Sequence, residues 1–461
     1  MLKLRPLGIG ISSVILLSSI FFITYSLQRY ETAELLSIYT LAFVAYVGCV
    51  LLTDSKKTIY FLLGIAIMGR LILLPAQPNL SDDIYRFVWD GRLLQQDVNP
   101  FAYLPSELMN GKADSLGIDI DPELYAALNS PDYYTIYPPI NQAVFTLAVK
   151  FFPNSLAGST WVIRSMLLLA ELGTLWLLLQ LAKQYHIPQK QVLWYTLNPL
   201  VILEMTGNLH FEALMIFFLL ASIYLLEKKK WITSALLFAL AVCTKLLPLM
   251  FLPLYLRRLG WQKVLLFYTV IGVATLLLFL PLLSSELIAG LQGSIGLYFQ
   301  KFEFNASLYY IVREIGYYRK GYNIIQTAGS QLAITAFLLI MLYTVLERKQ
   351  RIMDSFGWVW LIYLLFALTV HPWYVLPLLA LTVLTPYRYA MVWTYFIFLT
   401  YAGYTINGFQ ENLWLVSLEY SVVIVWLGYE LYQRRHQHLQ AIANTTELFR
   451  LFTRKNNSPQ Q

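Results

Sequence analysis

Residues 7–27 read LGIGISSVILLSSIFFITYSL, an apolar run without a charged side chain. A helix needs about 20 such residues to cross the hydrocarbon core of a bilayer, so this run predicts a membrane-spanning helix. Lys3 and Arg5 precede it, as in a signal peptide. No convincing small-residue cleavage site follows, and residues 35–52 form a second apolar run at once. We therefore interpret residues 7–27 as a retained signal anchor.

Similar runs recur along the whole chain. Of its 461 residues, 58% are hydrophobic and 13% are charged, whereas soluble proteins carry about 25% charge. The sequence therefore predicts an all-α polytopic membrane protein with about 12–14 transmembrane or re-entrant helices. The candidate spans are 7–27, 34–53, 58–76, 138–152, 160–182, 191–206, 209–227, 231–256, 263–283, 328–346, 355–371, 372–386, 388–406 and 411–432.

Two long polar stretches, 77–137 and 284–325, interrupt these spans and predict external loops that carry interfacial helices. The pattern divides the chain into an N-terminal two-helix hairpin (1–57), a central membrane module (58–325), C-terminal transmembrane helices (326–433) and a basic cytoplasmic tail (434–461). Cys49 and Cys243 lie inside apolar runs, at a spacing that suggests neither a disulfide nor a metal site.

Basic residues set the predicted orientation. Lys3, Arg5 and the loop 54–57 place the N-terminus inside the cell, and residues 347–351 and the tail place the C-terminus there as well. The loop 77–137 holds ten acidic and three basic residues, the opposite charge balance, which indicates the external side. The net charge of +7 lies in short clusters beside spans and does not indicate nucleic-acid binding. Both long loops and His371 are therefore expected outside.

The middle of the chain allows two topologies. If 138–152 crosses the membrane, the lysine run 228–230 lies outside, against the positive-inside rule. If 138–152 is re-entrant, that run lies inside, and 231–256 must be a hairpin of two half-helices that turns near Lys245 and Pro248. The sidedness of the two long loops is the same in both cases.

The first external loop opens with a predicted amphipathic helix. Ser81 is a good N-cap, and Asp82 and Asp83 occupy the first turn, where Arg86 can pair with either acid. Helix capping alone explains these residues. The functional alternative is a carboxylate at the membrane interface that acts as a general base towards a hydroxyl group. Tyr85 and Trp89 are candidates to stack on a sugar.

Several motifs in order resemble those of the glycosyltransferase C superfamily, in particular its polyprenyl-phosphate-sugar-dependent, mannosyltransferase-like members. They are Asp82-Asp83, Trp89-Asp90-Gly91-Arg92 followed by Asn99-Pro100-Phe101, Tyr137-Pro138-Pro139-Ile140, and His371-Pro372-Trp373-Tyr374. The resemblance covers most of the chain and identifies 58–325 as a catalytic module. It implies transfer of mannose or another hexose from a polyprenyl phosphate to a hydroxyl group of a lipid-linked or glycan acceptor, by inverting displacement on the external face.

The resemblance also implies residue roles. Asp82 matches the catalytic base, Asp83 its companion and His371 a proton relay, and which aspartate leads is left open. Arg313 is the preferred contact for the phosphate, because the second external loop of this superfamily helps hold the carrier lipid. Lys245 is a charge within an apolar run, which is costly unless functional. The candidate substrate contacts are Tyr85, Arg86, Trp89, Arg92, Tyr137, His210, Lys245, Lys301, Arg313, Arg319 and Trp373.

Two other functions fit a protein of this composition. A flippase or transporter of lipid-linked saccharides predicts inverted repeats with paired broken helices, whereas the sequence suggests one broken segment, 231–256. A glycan polymerase or ligase would place paired arginines in a large later loop. The sequence has no P-loop or dinucleotide fingerprint, and no metal site is predicted. We expect a monomer without a cofactor in the inner (plasma) membrane, with membrane lipids, a polyprenyl-phosphate sugar donor and a glycan or glycolipid acceptor as partners and no nucleic acid.

Overall fold

The structure is a computed structural model that describes residues 5–284, 287, 302–347 and 351–455. Within these residues the regular secondary structure is helical apart from one short β-hairpin and an isolated bridge between Phe304 and Thr369, which confirms the predicted all-α polytopic membrane architecture. Six described helices are long and apolar enough to cross a membrane. A seventh span results if Pro199–Gly207 and Glu212–Glu227, which meet at a bend of 110°, are taken as one.

The secondary structure is as follows. The α-helices are α1 (Arg5–Ser26), α2 (Thr32–Leu52), α3 (Lys56–Ile72), α4 (Asp83–Gln95), α5 (Pro105–Glu107), α6 (Ala113–Leu116), α7 (Pro122–Ala126), α8 (Pro139–Phe151), α9 (Leu156–Gln184), α10 (Leu193–Thr196), α11 (Pro199–Val201), α12 (Glu212–Glu227), α13 (Trp231–Thr244), α14 (Leu252–Leu259), α15 (Trp261–Phe279), α16 (Leu308–Lys320), α17 (Ile325–Leu346), α18 (Ile352–Phe366), α19 (Val375–Thr382), α20 (Tyr389–Phe396) and α21 (Leu413–Lys455). The 3₁₀-helices are Gln189–Val192, Leu247–Phe251, Leu280–Leu282, Pro372–Tyr374 and Ile397–Gly403, and the π-helices are Leu108–Lys112 and Ile202–Gly207. Strands β1 (Tyr404–Thr405) and β2 (Gly408–Phe409) pair antiparallel.

Several predicted spans are broken rather than continuous. The prediction of one helix over 191–206 is wrong, because the chain there consists of α10, α11 and a π-helix that ends at Gly207. Asn198 caps α11 by accepting a hydrogen bond from the Leu200 N–H at 2.9 Å, and Pro199 occupies its first turn. Proline lacks an N–H donor and suits a helix start, so it divides this segment.

Hydrogen bonds show which helix termini share an end of the bundle. At one end, which we call the site end, Arg29 between α1 and α2 forms an ion pair with Asp82. At the other end, which we call the basic end, Arg5 lies 3.2 Å from Asp54. There the Lys190 ammonium donates to the Thr53 carbonyl at 2.7 Å. The chain therefore returns to the basic end before α3 and again before α10.

Tyr185 follows α9 and lies five positions before Lys190, which is at the basic end. Its hydroxyl donates to Glu227 at 3.2 Å, so the lysine run 228–230 also lies at the basic end. Helix α13 then runs to Lys245 at the site end, and α14 returns, with Arg258 2.7 Å from Glu347. Helix α8 has 13 residues and a length of about 20 Å, short of a bilayer core of about 30 Å. This arrangement corresponds to the alternative with a re-entrant 138–152 and a hairpin over 231–256.

The predicted amphipathic helix of the first external loop is α4, and its apolar face packs on α8. The ring of Phe87 stacks on that of Phe145, with centroids 4.5 Å apart. A Cβ atom at Gly91 would lie 2.6 Å from the Phe145 carbonyl oxygen, so only glycine allows this approach of the two helices. Helix α4 ends at Gln95, four residues before the Asn99-Pro100 pair. The packing holds the start of α4, with its two aspartates, at a fixed place at the site end.

Candidate active site

The two aspartates at the start of α4 have different neighbours. Asp82 occupies the N-cap position, and Ser81, the predicted cap, accepts a hydrogen bond from the Asp83 N–H at 3.3 Å. The Asp82 carboxylate lies 2.6 Å from the Arg29 guanidinium, which also lies over the ring of Tyr404. The Asp83 carboxylate instead turns inward and lies 4.0 Å from Nε2 of His210. The tertiary structure thus separates two acids that are adjacent in sequence.

The pKa of the Asp83 carboxyl is shifted upward from its ordinary value. Burial raises the pKa of its carboxyl, and the charges of His210 and Lys245, with hydrogen bonds from Asn129 and Tyr137, act in the opposite direction. Burial is the largest cause, because a low-dielectric environment penalises the charged form. A raised pKa makes a carboxylate a better proton acceptor near neutral pH.

His210 is held in place behind Asp83. Its Nδ1 lies 3.1 Å from the Glu204 carboxylate, which also accepts from the Tyr401 hydroxyl at 2.6 Å and from the Asn208 amide at 3.1 Å. The side chain of His210 is 3% exposed, and its Nε2 has no hydrogen-bond partner among the described residues. The free edge of the imidazole therefore faces Asp83, while Glu204 determines its orientation.

A stack of three rings extends from His210. The ring of Trp373 lies 3.6 Å from that of His210 and 4.4 Å from that of His371, nearly parallel to both. Burial lowers the pKa of His371 to about 3, and the nearby His210 and Lys245 act in the same direction. His371 is therefore neutral at physiological pH. It can exchange hydrogen bonds with a substrate but does not supply a positive charge.

Lys245 provides a cation beside this stack. Helix α13 ends at Thr244, and the extended backbone of Lys245 turns the chain at the site end. The ammonium pairs with Glu212 and lies over the ring of Tyr374, 4.5 Å from its centroid. Asp83, His210, Lys245, His371 and Trp373 form one group, which we call the aspartate–histidine cluster. The sequence predicted each of these five residues, and the fold brings them together.

A buried arginine that was not predicted from the sequence supports this cluster. Arg164 of α9 donates to the carbonyls of Thr206 at 2.8 Å and Gly207 at 2.9 Å, and to those of Leu74 and Ala76. The bonds to Thr206 and Gly207 satisfy carbonyl groups where the helix unwinds before His210, and the bonds to Leu74 and Ala76 satisfy carbonyl groups that follow α3. The sequence does contain a sign of this role, because Arg164 is a charged residue inside the apolar run 160–182, and such a charge is costly unless it has partners.

The Arg86 side chain bonds to groups within the protein and stabilises the fold around α4. The prediction that it pairs with Asp82 or Asp83 is wrong: its guanidinium donates to Asp90 at 2.8 Å, one turn further along α4. The buried Asp90 also accepts from Thr135 at 2.5 Å and Gln142 at 2.9 Å. The aspartates are not available to Arg86, because Asp82 pairs with Arg29 and Asp83 faces His210.

The other predicted contacts of α4 also join parts of the loop. Trp89 is 2% exposed and packs near Tyr125. Arg92 pairs with Asp121 at 2.6 Å, and Asp121 caps α7. The Trp89-Asp90-Gly91-Arg92 motif therefore holds the polar stretch 77–137 and α8 together.

Two predicted tyrosines, Tyr137 and Tyr85, differ in their relation to the cluster. Tyr137 packs edge-on against Phe87, with ring centroids 5.0 Å apart, and bonds to Asp83. Tyr85 is half-buried and packs against the core. Of the two tyrosines, Tyr137 is therefore the one in direct contact with Asp83.

The second long polar stretch, 284–325, reaches the cluster through Phe304. Its ring lies 4.6 Å from that of His371, and its N–H donates to the Leu368 carbonyl at 3.0 Å. Arg313, the preferred phosphate contact, pairs instead with Glu303 at 2.6 Å and Glu314 at 3.1 Å.

Two more predicted cations belong to this loop. Arg319 is exposed in the last turn of α16, and Lys301 lies outside the described residues. Among the residues that the structure describes, no three His, Cys, Asp or Glu side chains are arranged to hold a metal ion.

Comparison with known proteins identifies relatives. Residues 29–259 match the family described as "Alpha-(1->6)-mannopyranosyltransferase, N-terminal domain". A segment of 178 residues is 27% identical to alpha-(1->6)-mannopyranosyltransferase A of Mycobacterium tuberculosis, covering 38% of this chain and 32% of the relative. A segment of 155 residues is 27% identical to alpha-(1->6)-mannopyranosyltransferase B of Corynebacterium glutamicum, covering 33% of this chain and 24% of that relative. The aligned segments thus span about a third and about a quarter of the lengths of these relatives.

The family match includes Arg29, Asp83, His210 and Lys245 and ends before His371. It confirms the resemblance to the glycosyltransferase C superfamily that the motifs suggested. Because the match spans half of its residues, the chain belongs to the alpha-(1->6)-mannopyranosyltransferase family.

Proposed function

We propose that this protein transfers a mannosyl residue from a polyprenyl-phosphate donor to a hydroxyl group of a lipid-linked or glycan acceptor. The observation that carries the proposal is the aspartate–histidine cluster, in which a carboxyl group of raised pKa, a lysine and two imidazoles meet at one end of a helical membrane bundle. The names of both relatives, alpha-(1->6)-mannopyranosyltransferases, support mannose as the sugar.

In the proposed reaction Asp83 is the general base. Its carboxylate takes the proton of the acceptor hydroxyl while that oxygen attacks the anomeric carbon, and the bond from this carbon to the phosphate oxygen breaks with its electron pair leaving on the phosphate. Sequence motifs favoured Asp82, but its carboxylate is engaged in an ion pair with Arg29 at 2.6 Å and is turned away from the cluster. The environment of Asp83 acts in the direction that a base requires.

Lys245 is proposed to hold the departing phosphate. The leaving phosphate gains negative charge, and an ammonium placed there beforehand stabilises it. Glu212 would share this ammonium with the phosphate during the reaction. His371, neutral at physiological pH, would donate a hydrogen bond to a phosphate or sugar oxygen. Trp373, which stacks on His371, would limit the position of the imidazole ring.

The stereochemistry follows from a single displacement. One attack with a base and no covalent intermediate inverts the anomeric carbon, so an alpha-linked product requires a beta-linked donor. Purified protein in lipid nanodiscs should accept beta-linked polyprenyl-phosphate mannose and not the alpha-linked anomer. Turnover of the alpha-linked donor to an alpha-linked product would contradict the single displacement.

The role of Asp83 is tested by amide substitution. We expect Asp83→Asn to lower mannosyl transfer by about 10²–10⁴-fold, the usual contribution of a general base, and to leave thermal unfolding close to that of the native protein. Asp82→Asn should lose less, and Asp114→Asn, an exposed acid of the same loop, should retain full activity. Comparable activity of Asp83→Asn and the native protein would exclude Asp83 as the base.

We further propose that the site end faces the outside of the plasma membrane and that both termini face the cytoplasm. The excess of acidic residues in 77–137 and the basic residues at the other end support this orientation. Single cysteines at Lys229 and Asp114 test it, with a membrane-impermeant thiol reagent applied to intact cells. Labelling at position 114 and none at 229 is expected, and the reverse pattern would overturn the orientation.

A further inference from the structure

A cleft with a volume of about 420 Å³ opens at the basic end of the bundle. The basic cleft, as we call it, is defined by Arg351, Asp354, Trp358, Tyr387 and Arg434. Its residues come from the first turns of α18, the connection from α19 to α20, and the part of α21 where its candidate membrane span ends. Helices α18 and α19 separate it from His371 and Trp373, which follow the other end of α18. The cleft is therefore distinct from the aspartate–histidine cluster.

Positive charge exceeds negative charge in the basic cleft. Arg351 donates through Nε to Asp354 at 3.0 Å and through Nη2 to the Leu384 carbonyl at 3.3 Å. Asp354 is thus already paired within the protein, and the guanidinium of Arg434 is additional. An arginine presents a planar set of donors that matches the oxygens of a phosphate group. The chemistry of the cleft favours an anion.

Aromatic rings hold the arginines at the walls of the cleft. Arg434 lies over the ring of Tyr387, 4.7 Å from its centroid, and Arg351 lies over the ring of Tyr185 at 5.0 Å. Trp358 packs edge-on against Tyr387, with centroids 5.4 Å apart. Stacked guanidinium groups keep their donor edges available, and Trp and Tyr are typical of the depth at which lipid head groups lie.

The position of the cleft limits the source of the anion. The apolar run of α21, predicted as a span over 411–432, gives way to the charged pair Arg434 and Arg435, so Arg434 lies just beyond the end of that run. Basic pockets between transmembrane helices at this depth receive the head groups of anionic lipids. The volume suits a phosphate with a small polar substituent rather than a whole lipid.

We propose that the basic cleft binds a phosphate-bearing head group of an anionic membrane lipid, on the face opposite to the site of mannosyl transfer. Arg351 and Arg434 bind the phosphate, and Trp358 and Tyr387 pack against the substituent of the head group. This site does not depend on the proposed reaction, and its ligand is part of the lipid bilayer rather than the donor or acceptor.

Native mass spectrometry of the purified full-length protein tests the proposal. The protein is delipidated and titrated with phosphatidylglycerol or with zwitterionic phosphatidylcholine, and each lipid is titrated again in the presence of millimolar inorganic phosphate. We expect retention of phosphatidylglycerol over phosphatidylcholine. Displacement by inorganic phosphate would assign the binding to the phosphate group itself, and resistance to displacement would assign it to the complete lipid head group.

Arg434→Gln should weaken phosphatidylglycerol binding by about tenfold, within the range for a charge-assisted hydrogen bond. The matched control is Arg435→Gln, which removes the same charge from the adjacent exposed position of α21 outside the cleft and should bind as the native protein does. Arg434→Lys keeps the charge without the planar fork and should give an intermediate affinity. Equal losses in Arg434→Gln and Arg435→Gln, or equal retention of the two lipids by the native protein, would overturn the proposal.

Discussion

The pair formed by Asp83 and His210 gives a quantitative prediction about pH. A protonated His210 favours the carboxylate form of Asp83, since Nε2 lies 4.0 Å from the Asp83 oxygen. At an effective dielectric constant of about 20, two unit charges at that distance interact by about 4 kcal/mol, which is an upper bound here. Asp83 is 25% exposed, and solvent at this exposed edge reduces the interaction.

His210→Gln removes this charge and keeps a polar side chain. Burial then acts on Asp83 with less opposition, so its pKa should rise further. In the proposed reaction the transfer rate requires the Asp83 carboxylate, so the rate should increase as pH rises through this pKa. The acidic limb of the profile of kcat/KM against pH should therefore move to higher pH by about one unit, equivalent to about 1.4 kcal/mol.

The assay is mannosyl transfer from pH 4.5 to 8.5 with the native protein, His210→Gln and the control His436→Gln. His436 is exposed near the basic end, so its replacement should leave the limb in place. Because His210 is buried, thermal unfolding of His210→Gln is measured in parallel, and His210→Asn gives a second measurement. An unchanged acidic limb in a folded His210 variant, or an equal shift in His436→Gln, would refute the reasoning.

Three further substitutions test the supports of the site. Gly91→Ala places a Cβ atom 2.6 Å from the Phe145 carbonyl oxygen and should lower the free energy of unfolding by about 1–3 kcal/mol, measured by denaturation in detergent. Arg164→Met leaves four backbone carbonyls without their donor and should cost about 3–5 kcal/mol in the same assay. Arg29→Gln breaks a partly exposed ion pair with Asp82 and should cost about 1 kcal/mol or less, with transfer reduced only a few-fold.

For each of these three substitutions, one result would contradict the expected effect. Gly64→Ala is the control for the first, because open space surrounds a Cβ atom there, and equal stability of the two alanine variants would contradict the close contact of α4 with α8. Native stability of Arg164→Met would show that the carbonyls find other partners. A loss of transfer in Arg29→Gln as large as in Asp83→Asn would give Asp82, rather than Asp83, the leading role.

The location of the polar residues could be predicted because it follows from local properties of the chain. Apolar runs of about 20 residues have few alternatives to crossing a bilayer, and charged residues in such a protein collect in loops or mark sites. That reasoning selected Lys245 without coordinates, and together with the resemblance of the motifs to a known superfamily it selected Asp82, Asp83 and His371. It also predicted α4, whose capping residues and apolar face are local features.

Partner choice was less predictable, because a side chain pairs with whatever the fold places near it. Local spacing suggested that Arg86 pairs with the first turn of α4, but Arg29, 53 positions before Asp82, occupies that partner. The same limit applies to Arg313, whose charge fits a phosphate but which pairs with Glu303 and Glu314. The sequence shows that a charged side chain is present, but it does not show which group forms an ion pair with it.

The amino-acid sequence by itself determined that this chain is a helical membrane protein with two long polar loops and a set of acids and imidazoles in a recognisable order, since hydropathy and motif order are properties of the chain. The tertiary structure decided that residues from α4, the segment after the π-helix, the break after α13 and the loop before α19 meet in one cluster. It also separated Asp82 from Asp83. The physical reason is that burial, ion pairing and orientation depend on neighbours that are tens of positions away in the chain, as Arg29 is from Asp82, or more than a hundred, as His210 is from Asp83.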